Sequence, residues 1–237
     1  MTAGLYTIIT LFVYIILYSI TITGLLVAIP LSWTGARKPV NFLLKTWANT
    51  VFLLMGKKLS LKGLDNLDKS RKYILVANHS SLFDIVAIIS FYPEVSWFGH
   101  ERLLKIPVLR HFLKLINYIP YREPTIATTR EMLNQLIEKS EFQSIAIFPE
   151  GTRTLDGRIN PFYRGFIYLL RTREIDILPV TLNGFYYLKP KNRFFIDFGS
   201  KPEVVIHKPL SGQLLMKKTD KDIVEEVKNI IESAHYF

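Results

Sequence analysis

The chain has 237 residues, 49% of them hydrophobic, and 30 Lys and Arg against 20 Asp and Glu give a formal charge of +10. A chain of this size buries one sizeable core, or a core and a membrane segment, and its positive balance favours an anionic partner: nucleic acid, a phospholipid surface, a phosphorylated substrate or an acidic carrier protein. Cysteine is absent, which excludes disulfides, thiolate nucleophiles and cysteine-ligated zinc and leaves the redox compartment undetermined.

No charged side chain occurs from Met1 to Ala36. The run GLYTIITLFVYIILYSITITGLLVAIP is apolar for longer than the roughly 20 residues that a bilayer-crossing helix needs. A membrane anchor is expected, spanning or re-entrant, with a buried core helix as the alternative. The segment lacks the positive start and small-residue cleavage site of a secretory signal and reads as retained. Arg37, Lys38, Lys45, Lys57 and Lys58 follow it. Positive flanks lie on the cytoplasmic side, which places the next domain in the cytoplasm. Residues 40–56, VNFLLKTWANTVFLLMG, suit an interfacial helix with Lys45 and Trp47 at headgroup depth, or equally a helix packed on the anchor or the core.

After Gly56 short apolar runs alternate with amphipathic ones, the pattern of an α/β domain. Strands are expected near 59–62, 73–77, 95–98, 116–119, 144–148, 177–182, 194–198 and 203–206, and helices near 83–91, 103–114, 124–139, 164–172 and 219–234. No repeat or Pro/Gly-rich linker divides the rest, so residues 1–56 are read as the anchor and 57–237 as one domain. The glycines are scattered singly, which gives no support to a nucleotide held in a Gly-rich loop. The aromatic residues do not interleave with a basic stripe, and no nucleic-acid partner is expected. No metal site is expected either.

Within this pattern VANHSSLFD, residues 76–84, puts His79 in the turn between a buried strand and a helix, at a strand's carboxyl end, where open α/β sheets hold ligands. Ser81 and Asp84 have the spacing of a capping box. The same spacing can bring the Asp84 carboxylate beside the His79 imidazole, fixing its tautomer and stabilising the imidazolium formed when it takes a proton. A helix N-terminus meanwhile favours the neutral ring that a general base requires. The second stretch, SIAIFPEGTRT, runs a strand into Pro149-Glu150-Gly151-Thr152-Arg153. There Arg153 can meet a phosphate bidentately, Glu150 can accept from substrate hydroxyls, and backbone N–H groups near Gly151 can face an anion. For Arg153 the alternative is a surface salt bridge.

Asn78-His79-Ser80-Ser81-Leu82-Phe83-Asp84, Phe148-Pro149-Glu150-Gly151-Thr152-Arg153, Pro161-Phe162-Tyr163-Arg164-Gly165 and Ile177-Leu178-Pro179-Val180 occur in that order. Between the first two, ERLLKIPVLRHFLKLINYIPYRE carries a Leu-x-x-x-Pro segment leading to Arg122. These blocks, over about residues 57–210, resemble the membrane-associated glycerolipid acyltransferases that acylate lysophosphatidic acid or glycerol-3-phosphate. The resemblance implies a mixed central sheet flanked by helices. It also implies His79 as base on the acceptor hydroxyl, Asp84 as its orienting partner, and Glu150, Gly151, Thr152, Arg153 and Arg122 around the acceptor's glycerol phosphate. Where many members carry a lysine before Leu-x-x-x-Pro this chain has His100, and Arg110 stands where a glycine often follows. Arg164 and Lys105 are therefore candidates for an alternative phosphate set, with a solvated surface charge as the plain alternative for each.

The chemistry implied is attack of a hydroxyl on a thioester carbonyl, with acyl-CoA or acyl carrier protein as donor substrate and no further cofactor. The expected reaction is acylation of 1-acyl-glycerol-3-phosphate to phosphatidic acid at the cytoplasmic membrane face, in phospholipid synthesis. Alternatives are another lysolipid or glycerol-3-phosphate as acceptor, or a non-catalytic membrane lipid-binding protein. Ser80 and Ser81 as acyl-accepting nucleophiles are poorly placed beside the histidine, and capping explains them better.

Overall fold

The computed structural model describes residues 3–121 and 126–236. Helices α1 (Ala3–Trp33) and α2 (Arg37–Leu54) lead into strands β1 (Ser60–Lys62) and β2 (Tyr73–Ala77), helix α3 (Phe83–Phe91) and strand β3 (Val95–His100). Helix α4 (Pro107–Leu115), β4 (Ile119–Tyr121), α5 (Ile126–Ser140), β5 (Ser144–Ile147) and α6 (Gly165–Arg173) follow. The chain continues through β6 (Asp176–Asn183), α7 (Phe185–Leu188), β7 (Glu203–Ile206), α8 (Gly212–Leu215) and α9 (Asp220–Ser233).

Among the described residues the strands form one seven-stranded sheet in the order β1-β7-β6-β2-β5-β3-β4. Every neighbouring pair is parallel except β6 and β7, which are antiparallel. The sheet is therefore mixed and flanked by helices. Because side chains alternate across a strand, β2 feeds two cores. Tyr73, Leu75 and Ala77 pack with α2 and α3 on one face, whereas Ile74 and Val76 pack with α6 and α9 on the other. Burial on both faces explains why β2 reads as a continuous apolar run.

Most of the expected elements occur within a residue or two. The helix expected over 103–114 is divided: Glu101–Lys105 forms a 3-10 turn, and α4 starts with Pro107 in its first position, where the missing N–H costs nothing. The strand expected at 116–119 begins only at Ile119. The strand expected at 194–198 is absent; that segment is irregular, and its aromatics face α1 instead of a strand partner. The helix expected near 124–139 begins in part outside the described residues.

Gly4–Trp33 is long and apolar enough to cross a membrane, but α1 does not stand clear of the domain. Thr10, Val13, Leu25 and Ala28 are buried, while Ile8, Leu11, Phe12, Ile15 and Leu26 are exposed, a division at helical spacing. Near its start, the Tyr6 ring lies 5.9 Å from Phe195 and 5.8 Å from Phe198. One turn later Thr10 Oγ1 accepts the Ile196 N–H at 2.9 Å. Farther on, Thr21 Oγ1 accepts Trp47 Nε1–H at 3.0 Å. The rise from Tyr6 to Ala28 is about 33 Å at 1.5 Å per residue, so one face of α1 lies along the domain over most of its length and the other is bare.

Helix α2 buries Val40, Leu44, Ala48, Val51 and Phe52 in the same core as α3 and the sheet, each large side chain contributing about 1.5–3 kcal/mol. Trp47, expected at headgroup depth or packed on its neighbours, is packed: besides its bond to Thr21, its ring lies 4.6 Å from Phe112 of α4. The apolar core thus runs without a break across residue 56, the boundary drawn from sequence.

Candidate active site

Strands β2 and β5 are parallel neighbours, with Val76 opposite Ile147, so the turns that leave them meet at one edge of the sheet. Asn78 extends the β2 ladder by side chain, its amide donating to Leu182 O at 3.0 Å and accepting from Leu182 N–H at 2.8 Å. His79 follows, and both of its backbone polar groups are engaged. Its carbonyl accepts from Thr154 N–H at 2.9 Å, and its N–H donates to Glu150 Oε1 at 2.6 Å. The other Glu150 oxygen accepts from Asn160 N–H at 2.8 Å.

This arrangement corrects one expectation. Glu150 is 3% exposed and gives both carboxylate oxygens to peptide N–H groups, so it stands behind His79 rather than among substrate hydroxyls. Burial pushes its carboxyl up to about 7, against the two peptide hydrogen bonds, which pull it down.

Asp84 performs with one oxygen the two jobs that sequence left as alternatives. Its Oδ2 lies 2.8 Å from His79 Nδ1 and also accepts from the N–H groups of Ser80 at 2.7 Å and Ser81 at 2.8 Å. The carboxylate therefore satisfies free donors at the start of α3 and can accept a hydrogen bond from Nδ1–H, the tautomer in which Nε2 carries the free lone pair. The Phe148 ring stacks on the imidazole, centroids 4.0 Å apart and planes 12° from parallel, and sets the ring plane. The expected capping pair forms with one change of donor: Asp84 reaches back to the Ser81 N–H, while the Ser81 Oγ accepts from the Phe83 N–H at 3.4 Å rather than from that of Asp84. Ser81 also bonds outside the turn. Its hydroxyl donates to Lys189 O at 2.7 Å, tying the turn to the segment after α7. Ser80 and Ser81 are both buried, which removes them from the substrate side.

A cavity of about 260 Å³ opens beside the imidazole, and His79, Gly151, Thr152 and Arg153 line it. Its apolar wall includes Trp97, Phe98 and Leu113. Gly151 has φ +68°, a left-handed conformation that glycine adopts without cost. Arg153 has no acidic or carbonyl partner among the described residues. Burial pulls its guanidinium pKa below the usual value, opposed by the charge of Asp84.

The alternative phosphate set is not brought to this cavity. Arg164 is exposed at the start of α6, outside the lining, because α6 turns Phe166 and Ile167 inward. Lys105 and Arg110 are likewise exposed and outside it. Arg122 lies outside the described residues. His100 does line the cavity, together with Arg102 and Lys191, two cations that sequence reasoning missed. For Lys191 a signal existed: Lys189-Pro190-Lys191-Asn192-Arg193 carries three cations and no acid.

A histidine oriented by a buried carboxylate at one ring nitrogen, with the other left for a substrate proton, is the arrangement of an α/β protein of the group-transfer class. The family model described as Acyltransferase matches residues 58–183, and the chain belongs to that family. Its relatives include a 1-acyl-sn-glycerol-3-phosphate acyltransferase from Borreliella burgdorferi, 30% identical over 175 residues, 71% of this chain and 68% of the relative. The human enzyme of that name, beta form, is 27% identical over 184 residues, 75% of this chain and 66% of the relative. The chloroplastic one of Brassica napus is 28% identical over 178 residues, 74% of this chain, but the match spans only 52% of that longer protein. The crystal structure of the 1-acyl-sn-glycerophosphate acyltransferase of Thermotoga maritima shares the fold, with TM-score 0.82, 24% identity, and coverage of 96% of this chain and 95% of that one.

Proposed function

We propose that the chain transfers a fatty acyl group from a thioester, acyl-CoA or acyl carrier protein, to the free hydroxyl of 1-acyl-glycerol-3-phosphate, giving phosphatidic acid for phospholipid synthesis. The observation that carries this reading is the His79–Asp84 pair at 2.8 Å opening on a cavity that Arg153, without a carboxylate partner among the described residues, also lines. The names of the relatives support the choice of acceptor.

In this reading His79 Nε2 takes the proton of the acceptor hydroxyl as its oxygen bonds to the thioester carbonyl carbon. The imidazolium is stabilised by Asp84. Backbone N–H groups of Thr152 and Arg153, which make no hydrogen bond among the described residues, face the oxyanion. The carbon–sulfur bond then breaks and His79 returns its proton to the departing thiolate. No covalent enzyme intermediate and no further cofactor enter. Glu150 acts as a positioning residue that holds the His79 backbone, and Arg153 binds the acceptor phosphate. Labelled lysolipids offered with each donor test the assignment: turnover of lysophosphatidic acid is expected to exceed that of uncharged or zwitterionic lysolipids. Absence of turnover with every pair rejects an enzyme. Arg153→Ala is expected to raise the acceptor KM about 10- to 100-fold, the worth of a charged hydrogen-bonded pair, with Arg153→Lys intermediate.

The bare apolar face of α1 supports a seat in one leaflet at the cytoplasmic membrane face, the helix lying along the interface with the domain beneath it. Since the chain has no cysteine, single replacements report cleanly. Leu5→Cys and Trp33→Cys are both expected to react with an impermeant maleimide applied from the cytoplasmic side only; labelling from opposite sides would show a span instead.

A further inference from the structure

The segment after α7 bridges two parts of the protein that are far apart in sequence. At one end the Lys189 carbonyl accepts from the Ser81 hydroxyl at 2.7 Å, beside the catalytic turn. At the other end Phe194–Phe198 packs on α1 through Tyr6, Thr10 and Tyr14. Between them Arg193 is consumed in holding the bend, donating to the carbonyls of Tyr187, Leu188 and Phe195 and covering the Phe195 ring at 4.8 Å. Among the described residues the Lys189 ammonium is bound only to the neighbouring Pro190 carbonyl, at 3.2 Å, and Lys191 is exposed on the wall of the cavity that His79 and Arg153 also line.

Resting on the acyltransferase reading, we infer that Lys191 forms, with Arg153, the subsite for the acceptor's phosphate, with Lys189, two residues earlier on the same segment, adding to its positive field, doing what no lysine of the β3–α4 segment is placed to do. Three observations converge. Lys191 and Arg153 line one cavity, and no carboxylate bonds to Lys189, Lys191 or Arg153 among the described residues. The charges of Arg153 and Arg193 act on Lys189 and add to burial in pulling its ammonium pKa down. Cations that share one cavity wall without a counter-ion among the described residues repel one another, and a phosphomonoester relieves that repulsion. The segment that carries them packs on α1, the apolar helix, which in the proposed seating lies at the lipid surface that supplies the acceptor. A water-soluble donor phosphate needs no such mounting.

The test is steady-state kinetics of Lys191→Ala and Lys189→Met, the second keeping the main-chain carbonyl that Ser81 uses. Each is expected to raise the KM for lysophosphatidic acid about 5- to 20-fold, as loss of one charged hydrogen bond does, with kcat within twofold. Preference for lysophosphatidic acid over its dephosphorylated 1-acylglycerol should narrow by the same factor. An unchanged acceptor KM overturns the inference, as does a rise confined to the acyl-CoA KM, which would place a donor phosphate there. If the wild type does not turn over lysophosphatidic acid at all, the acyltransferase reading fails by itself. Equilibrium binding of lysophosphatidic acid in detergent micelles, wild type against Lys191→Ala, then still decides the subsite: weaker binding by the variant upholds it and equal binding overturns it. Thermal unfolding within a few degrees of wild type confirms that both variants fold.

Discussion

Replacing His79 by alanine is expected to lower kcat roughly 100- to 10,000-fold, the worth of a positioned general base, with acceptor and donor KM nearly unchanged. The fold should persist, because Asp84 Oδ2 keeps its bonds from Ser80 and Ser81 at the start of α3 and the main-chain bonds of residue 79 to Glu150 and Thr154 do not involve the ring. Free imidazole added to the variant should restore part of the rate. Turnover near the wild-type level in His79→Ala would remove the histidine from the chemistry. Asp84→Asn separates the two uses of the same oxygen. The amide oxygen can still accept from the three donors, but the new NH2 falls where Asp84 Oδ1 now has no partner, and no charge remains to stabilise the imidazolium. A kcat loss within the same range is expected with a modest fall in Tm; full activity with reduced stability would leave the aspartate as a cap only.

Glu150→Ala is expected to destabilise the fold by about 2–5 kcal/mol, since two partly buried peptide N–H groups, of His79 and Asn160, lose their acceptor. Its activity should fall with the stability because the histidine backbone is no longer held. The wild-type carboxyl also leaves a pH signature. Its folded pKa, about 7, lies above that of the unfolded chain, about 4.3, so between these values the folded state binds more protons. Its contribution to stability is fully present below the unfolded value and is lost as pH rises through 7, by about 4 kcal/mol at most. Urea unfolding at pH 5 and at pH 8 should show this loss in the wild type and not in Glu150→Gln. An equal pH dependence in both proteins would show that Glu150 titrates normally.

Sequence periodicity located the strands that matter most because β2 and β5 are buried on both faces and read as unbroken apolar runs. The helix after His79 is legible because its cap, the Asp84 carboxylate, lies in the same short motif. Other features had no local signal. Phe194–Phe198, Phe-Phe-Ile-Asp-Phe, is a short apolar run like a buried strand, yet its partner is a helix nearly two hundred residues earlier. Glu150 sits in a turn whose composition suggests ligand contact, and only the coordinates show both oxygens taken by peptide groups 10 and 71 residues away in sequence. Arg164 belongs to a recognisable block but is carried outward by the rotation of α6. Lys191 lies in no block and faces the cavity because of how Arg193 bends the chain.

The attachment of the Phe194–Phe198 segment to α1 makes membrane seating and catalytic geometry a single property. Trimming the apolar helix to obtain a soluble enzyme would take away Tyr6, Thr10 and Tyr14, and with them the support of the bend that carries Lys189 to Ser81. Lost turnover in such a shortened protein would therefore say nothing about whether the lipid surface itself is needed. A solubilising strategy that keeps the buried stripe of α1 and replaces only its bare side chains, such as Ile8, Phe12 and Ile15, leaves the two effects separable.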